Sequence, residues 1–397
     1  MKTYHCNRCQ QLVFFENVRC ERCEALLGYL PEVGEISAFE AAGDGLWRSL
    51  HPGANGGLYR QCHNYAVENV CNWMVPAEAP DTLCRACQFT GAIPNLEVPG
   101  NRLYWYRLET AKRRLLYTLT ALGLPLASRR ENPETGLQFD FRETTGDGDA
   151  VITGHDRGLI TLNVAEADDA AREQARTALH EPYRTLLGHF RHETGHYFFD
   201  RLIAGTRWEA PFRQRFGDER ADYAEALKTY YDNGPPADWA QSTISAYATM
   251  HPWEDWAETW AHYLHMVDTL DTAVSCGLAL LPGHPQEPEL TDQTPVEEAG
   301  FDSLLGDGLG QVIAGIIVLG AGRTEHGDLA GHATWSEHLH RLADVREAAA
   351  DQPPLVDLVL AASHLKQGNH RTLDQSALRM ALQLLGQSFE RAFAAGS

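Results

Sequence analysis

Apolar Leu, Tyr and Trp side chains recur at helical spacing over residues 101–122, and the pattern stops near Gly123-Leu124-Pro125. That periodicity predicts one long helix. The period then changes to two. Leu137 to Phe141 alternates, and Ala150-Val151-Ile152 and Leu159 to Val164 flank His155-Asp156-Arg157-Gly158, which predicts a hairpin in a small sheet. From Asp168 onward the pattern is helical again, with breaks at Gly205, Gly217 and Asn233-Gly234-Pro235-Pro236. Residues 281–297 are polar, proline-containing and aperiodic, so they read as a linker or surface loop, and the last hundred residues read as a few helices. Before the long helix the signals are weaker. Residues 1–30 hold short β-like runs such as Leu12-Val13-Phe14-Phe15. Residues 31–61 are Gly-rich, and Gly53-Ala54-Asn55-Gly56-Gly57 reads as loop. The expected fold class is α+β, in four parts: 1–30, 31–100, 101–280 and 281–397.

Composition narrows the function classes. A chain of 397 residues is too long for one ordinary core, which agrees with several parts. Hydrophobic residues are 44% and charged residues 22%, as in ordinary globular proteins. No run of about 18 apolar residues occurs, and the N-terminus lacks the apolar core of a secretory signal. The expectation is a cytoplasmic protein with no membrane partner. The formal net charge of −21 repels phosphate backbones, so no nucleic-acid partner is expected. Keeping the chain soluble is the simpler account of that charge.

Eight of the nine cysteines precede residue 90. In a reducing compartment, clustered cysteines read as metal ligands rather than disulfides. Cys6-x2-Cys9-x10-Cys20-x2-Cys23 has the paired knuckles of a zinc ribbon, where two thiolates from each turn meet on one tetrahedral ion. Cys62-x8-Cys71-x12-Cys84-x2-Cys87 has one tight knuckle, and a second four-thiolate zinc is the economical account, with His63 an alternative ligand. Four-thiolate sites are closed, hence structural. Residues 1–30 hold four basic and three acidic side chains, which is no basic patch. Cys276 stands alone and reads as a small buried hydrophobe.

His192-Glu193-Thr194-Gly195-His196 supplies the chemistry. Histidines at i and i+4 share a helix face and reach one metal, while Glu193, one residue on, can take a proton from an activated water. Apolar flanks, Leu186-Leu187-Gly188 and Tyr197-Phe198-Phe199, make the helix a buried one. A catalytic zinc keeps three protein ligands and an open position. The metzincin spacing is excluded, because Phe199 and Leu202 stand where Gly and His are needed. The best downstream candidate is His251-Pro252-Trp253-Glu254-Asp255-Trp256-Ala257-Glu258. Pro252 starts a helix well, and Glu254 and Glu258 then lie one turn apart on one face. Buried carboxylates beside tryptophans need a cation or donors. Zinc at Glu254 and a histidine N–H at Glu258 meet that need. The rival cluster of Asp218, Glu219, Asp222 and Glu225 reads as a solvated helix start, and His189, His262 and His265 as hydrogen-bonding core histidines.

Three segments carry a family resemblance: HETGHYFFD, GDERADYAEAL and SAYATMHPWEDWAETWAHYLHMVDTL. They resemble a bacterial family of zinc-binding metallo-peptidases with an N-terminal zinc ribbon, over roughly residues 1–275. The resemblance implies zincin chemistry on a mostly helical domain, and residues 300–397 fall outside it. A wider likeness, to gluzincins resembling anthrax lethal factor, implies Glu254 as third ligand in Glu254-x-x-Ala257-Glu258, Glu258 as its outer partner, and Tyr247, seven residues upstream, as an oxyanion donor. The implied activity is peptide hydrolysis with one catalytic and two structural zincs, on a peptide or protein substrate. The strand Leu159–Val164 is expected to be the sheet edge that pairs with it. Two rivals share these residues: a non-catalytic zinc-stabilised interaction module, and a zinc amidohydrolase acting on a non-peptide amide.

Overall fold

The computed structural model describes residues 2–144, 151–178, 185–239 and 242–275. The expected linker, the C-terminal helices and Cys276 lie outside them. The fold is α+β, with a cysteine-rich β region followed by a mainly helical region.

Strands β1 (Tyr4–His5) and β2 (Leu12–Val13) form a two-stranded ribbon around the first knuckle. Five strands then make one antiparallel sheet in sequential order: β3 (Leu26–Leu30), β4 (Glu35–Gly43), β5 (Leu46–Ser49), β6 (Leu58–Gln61) and β7 (Met74–Pro76). Tyr29 N donates to Asn72 O at 2.9 Å, tying β3 to the segment that enters β7. The sequence pattern places no strands in residues 31–61, only the loop at Gly53–Gly57. The reason for the miss is physical. Ile36, Ser37, Ala38 and Phe39 are all buried, so the first half of β4 is covered on both faces and shows no period of two. Only the glycines of the turns remained visible, and the loop at 53–57 is there, as a 3-10 turn over Pro52–Ala54 closed by Asn55. The boundary at residue 30 coincides with the end of β3, inside this sheet.

A four-residue helix, α1 (His63–Ala66), and a short strand, β8 (Thr90–Ala92), lead to the long helix α2 (Asn101–Ala121). Its end is a Schellman cap: Gly123 N bonds to Thr120 O at 2.9 Å and Leu124 N to Leu119 O at 3.1 Å, with Gly123 at φ +64. Next come β9 (Gln138–Arg142), β10 (Gly154–Asp156) and β11 (Leu159–Asn163). The sheet order is β10-β11-β9-β8, parallel except for the antiparallel β10. Two expectations are corrected here. The hairpin's first strand is Gly154–Asp156 rather than Val151-Ile152, with Arg157-Gly158 as its turn; Ala150 lies outside the described residues. And β11 is paired on both sides, so among the described residues the edges are β10 and, at the far side, β8.

Five helices complete the described chain: α3 (Asp169–Ala178), α4 (Leu186–Leu202), α5 (Glu209–Phe216), α6 (Tyr223–Asn233) and α7 (Pro252–Ser275). Phe190 of α4 packs on Phe139 of β9 at a centroid distance of 5.3 Å, and Phe198 stacks on Trp260 of α7 at 4.8 Å. A buried network ties three helices together: Asp268 of α7 pairs with Arg191 of α4 and accepts from Thr118 of α2. The cysteine-rich region docks on the same helices through the Glu16–Arg114 pair and a bond from Thr3 N to Ser275 Oγ at 2.9 Å. Among the described residues, no helix is long and apolar enough to cross a membrane.

Candidate metal centres

The structure brings each cysteine set together. Cys6, Cys9, Cys20 and Cys23 form one cluster and Cys62, Cys71, Cys84 and Cys87 another, with the sulfurs of each set within 4.8 Å of one another. The knuckles close alike: Gln10 N bonds to Cys6 O, Glu24 N to Cys20 O and Gln88 N to Cys84 O, at 2.8, 2.8 and 3.1 Å. Sulfur separations are 3.7 Å for Cys6–Cys23, 3.5 Å for Cys9–Cys20, and 3.7 Å for both Cys71–Cys84 and Cys71–Cys87. A disulfide needs about 2.05 Å. Two thiolates on one tetrahedral zinc lie roughly 3.8 Å apart, from Zn–S bonds of about 2.3 Å. The separations thus fit an ion and exclude disulfides. His63 is exposed and takes no part in the second cluster.

Around the second cluster the protein supplies compensation. Trp73 N donates to Cys71 Sγ at 3.4 Å and Cys84 N to Cys62 Sγ at 3.3 Å. The buried Arg113 guanidinium sits near enough for its charge to be felt by Cys71. Burial alone would push the Cys71 thiol up, but its thiol neighbours and Arg113 pull it well below the ordinary value. Cys84 is pushed well up, chiefly by burial, and Cys87 chiefly by its bonds to Cys62 and Cys71. Four thiols this close share few negative charges unless a cation joins them.

The third site is built where α4 crosses α7. Thr185 caps α4, accepting from Gly188 N at 3.0 Å, so the helix starts early enough to carry His192 and His196 on one face. His251 caps α7: its Nδ1 accepts from Trp253 N at 3.1 Å, and Pro252 occupies the first helical position. The helices approach at Gly195, whose ideal Cβ would lie 2.9 Å from Ala257 Cα. Trp256 Nε1 donates to Gly195 O at 2.8 Å. This close approach sets the histidines of one helix against the carboxylates of the other.

His192, His196 and Glu254 present their ligand atoms to one point. His192 Nε2 is 3.2 Å from His196 Nε2 and 3.0 Å from Glu254 Oε2, and Glu254 Oε1 is 3.5 Å from His196 Nε2. Two imidazoles on a tetrahedral zinc place their nitrogens about 3.3 Å apart, from Zn–N bonds near 2.05 Å. Glu258 Oε1 lies 2.7 Å from His192 Nδ1. If Nδ1 carries the proton to Glu258, Nε2 turns a lone pair toward Glu254. The buried Glu254 Oε2 meets no aligned hydrogen-bond donor. Lone pairs facing at 3 Å in a buried site call for a cation. The electrostatics agree. Burial would lower the His192 pKa, yet Glu254 and Glu258 raise it well above the ordinary range. Glu258 is held at about 2, because the bond from His192 outweighs burial. The residues present therefore fit a divalent metal such as zinc.

Glu193 is buried beside these ligands, and burial raises its pKa, so it is a stronger base than an exposed carboxylate. Tyr247 lies in a 3-10 turn just before α7, its ring 6.1 Å from that of His192. Burial and Glu254 keep its hydroxyl protonated. The bland expectations for the neighbours hold or need adjustment one by one. Asp222 caps α6, Asp218 pairs with Arg220 and Glu219 with Arg213, so the acidic cluster makes a helix start. His189 lies 3.4 Å from Glu166, and His262 bonds to Glu258 O at 2.7 Å, but His265 is exposed.

Two residues that face the site were missed in the sequence. Tyr223, in the conspicuous segment GDERADY, donates its hydroxyl to Glu254 Oε1 at 2.9 Å. His155 sits on the edge strand β10, its ring 6.3 Å from that of His196 and 6.4 Å from Trp253. Its Nε2 accepts from Gly158 N at 2.8 Å, and burial and His196 lower its pKa to about 4. It is thus a neutral imidazole. A strand of three residues, Gly-His-Asp, leaves no period to detect.

Comparison with known proteins agrees with this geometry. Residues 101–314 match the family described as "Putative zinc-binding metallo-peptidase", and residues 3–98 match a zinc-ribbon domain. An uncharacterised protein of Mycobacterium tuberculosis (strain H37Rv) and one of Mycobacterium bovis are each 44% identical over 280 residues, covering 70% of this chain and 77% of the relative. No solved structure matches. A family match across more than half of the chain, on a structure whose third site suits a metal, means that the protein belongs to this family of zinc-binding metallo-peptidases and has a zinc ribbon at its N-terminus.

Proposed function

We propose that the chain is a zinc-dependent peptidase, with one catalytic zinc held by His192, His196 and Glu254 and two structural zincs held by the cysteine clusters. The observation that carries this is the convergence of those three ligands, from two helices, beside the buried base Glu193. Zinc bound there supplies Lewis acidity to the attacking water and to the scissile carbonyl. Glu193 takes the proton from the water as its oxygen bonds to the carbonyl carbon. The Tyr247 hydroxyl donates to the oxygen that gains negative charge. Glu193 then passes the proton to the departing amine as the C–N bond breaks. Glu258 orients His192 through Nδ1. An extended peptide pairs with β10, the antiparallel edge strand that carries His155 toward the site.

Glu193→Gln tests the proposal. The variant keeps all its zinc and loses cleavage of a peptide library by a factor on the order of 100 or more. A wild-type protein that cleaves no peptide, together with an unaltered E193Q in every assay, would favour an interaction module.

A further inference from the structure

Glu254 divides its carboxylate between two tasks. Oε1 accepts a hydrogen bond from Tyr223, 2.9 Å away. Oε2 is buried, has no aligned donor, and is the oxygen nearest His192 Nε2. Tyr223 is the first residue of α6, whose start is pinned by the Asp222 cap. Its ring is fixed against His251 and Trp253, at centroid distances of 5.3 and 6.0 Å. His251 caps α7 and Trp253 lies in its first turn, so the tyrosine and the glutamate it touches are positioned by one packed unit.

From this arrangement we infer that Tyr223 is a positioning residue for the metal: it engages Oε1 so that Glu254 binds zinc through Oε2 alone. The consequence is chemical. A carboxylate free to rotate can bind through both oxygens, and the second oxygen then takes the position that a catalytic zinc keeps for water. A hydrogen bond to one oxygen removes that option and pre-orients the other, as outer partners do for ligating histidines. Glu258 performs that service for His192, and Tyr223 performs it for Glu254. Tyr247, by contrast, faces the His192 ring, at a centroid distance of 6.1 Å.

This inference rests on the metal assignment above, and the test separates the two. With the thiolate sites kept in zinc, the third site is emptied and titrated with zinc against a chromophoric chelator, then with Co(II), whose visible absorption weakens as coordination rises above four. The parent is compared with Tyr223→Phe, which keeps the ring packing and removes only the hydroxyl. The expected result is zinc affinity lower by about 10- to 100-fold and a weaker cobalt spectrum in the variant, with both thiolate zincs retained. Equal zinc affinity and superimposable cobalt spectra would overturn the inference while leaving the metal site in place. A parent that takes up no third metal overturns both. Should Tyr223→Phe lose its thiolate zincs through misfolding, Tyr223→Leu enters the same titration and is judged on the same two readouts.

Discussion

The contact at Gly195 is a quantitative test of how the site is held. Replacing it with alanine adds one methyl group on the face of α4 that meets α7. That carbon would lie 2.9 Å from Ala257 Cα, 3.2 Å from Trp260 Cβ and 3.3 Å from Ala257 Cβ. The first distance is roughly 0.6 Å inside ordinary carbon contact. The obstructing atoms are backbone and Cβ atoms of a packed helix, so no side-chain rotation relieves them. Overpacking of this kind costs about 1–3 kcal/mol, and the better helix propensity of alanine returns about 1 kcal/mol. A net loss of up to about 2 kcal/mol follows, and a melting temperature lower by up to about 2–3 °C for a chain of 397 residues. The stronger effect falls on the metal. Gly195 adjoins His196, and Ala257 adjoins Glu258, so separating the helices widens the 3.0–3.5 Å spacings between the histidines and Glu254. Zinc affinity at the third site drops by about tenfold or more, as expected when a ligand set is loosened. Thermal denaturation and chelator competition measure the two effects. A variant as stable as the parent, with unchanged zinc affinity, would show that the α4–α7 spacing does not govern the site.

Three further outcomes follow. Metal analysis should find three zincs per chain, matching the three clusters, and two in His192→Ala/His196→Ala; two in both proteins would sink the catalytic site. Glu258→Ala removes the acceptor on His192 Nδ1 and should weaken zinc binding at that site by about 10- to 100-fold, read by competition titration, with little change at the thiolate sites. Zinc uptake by the second cysteine cluster must displace protons from at least Cys84 and Cys87, whose thiols are pushed up, whereas Cys71 is pulled down. Its affinity should therefore fall as pH falls near neutrality, by about 100-fold or more per pH unit, and a shallower slope in a pH series of zinc titrations would refute the assigned ionisation states.

How far the sequence reached depends on the range of each interaction. Histidines at i and i+4, thiolates in C-x2-C knuckles, and Glu254 and Glu258 one turn apart are products of local backbone geometry, so spacing alone grouped them. The helix end at Gly123 was equally legible, because a left-handed C-terminal residue favours glycine. The sheet of residues 26–76 was not. Its second strand, β4, is buried on both faces over Ile36–Phe39 and so loses the alternation that reveals a strand. Tyr223 was passed over because its neighbours are acidic and solvated, and only the fold aims its hydroxyl at Glu254, 31 residues on.

The sequence by itself determined the candidate ligand types, their helical faces and the family. Tertiary structure decided which of these groups meet. Strand order put β10 at one edge and β11 inside, because pairing with β9 joins segments that no local period connects. Close packing at Gly195 brought Glu254 to His192 across 62 residues of chain, and no repeat in the sequence encodes that approach. The HETGH helix offers two candidate ligands wherever it lies, and the helix packed against it brings the third group, Glu254, beside them.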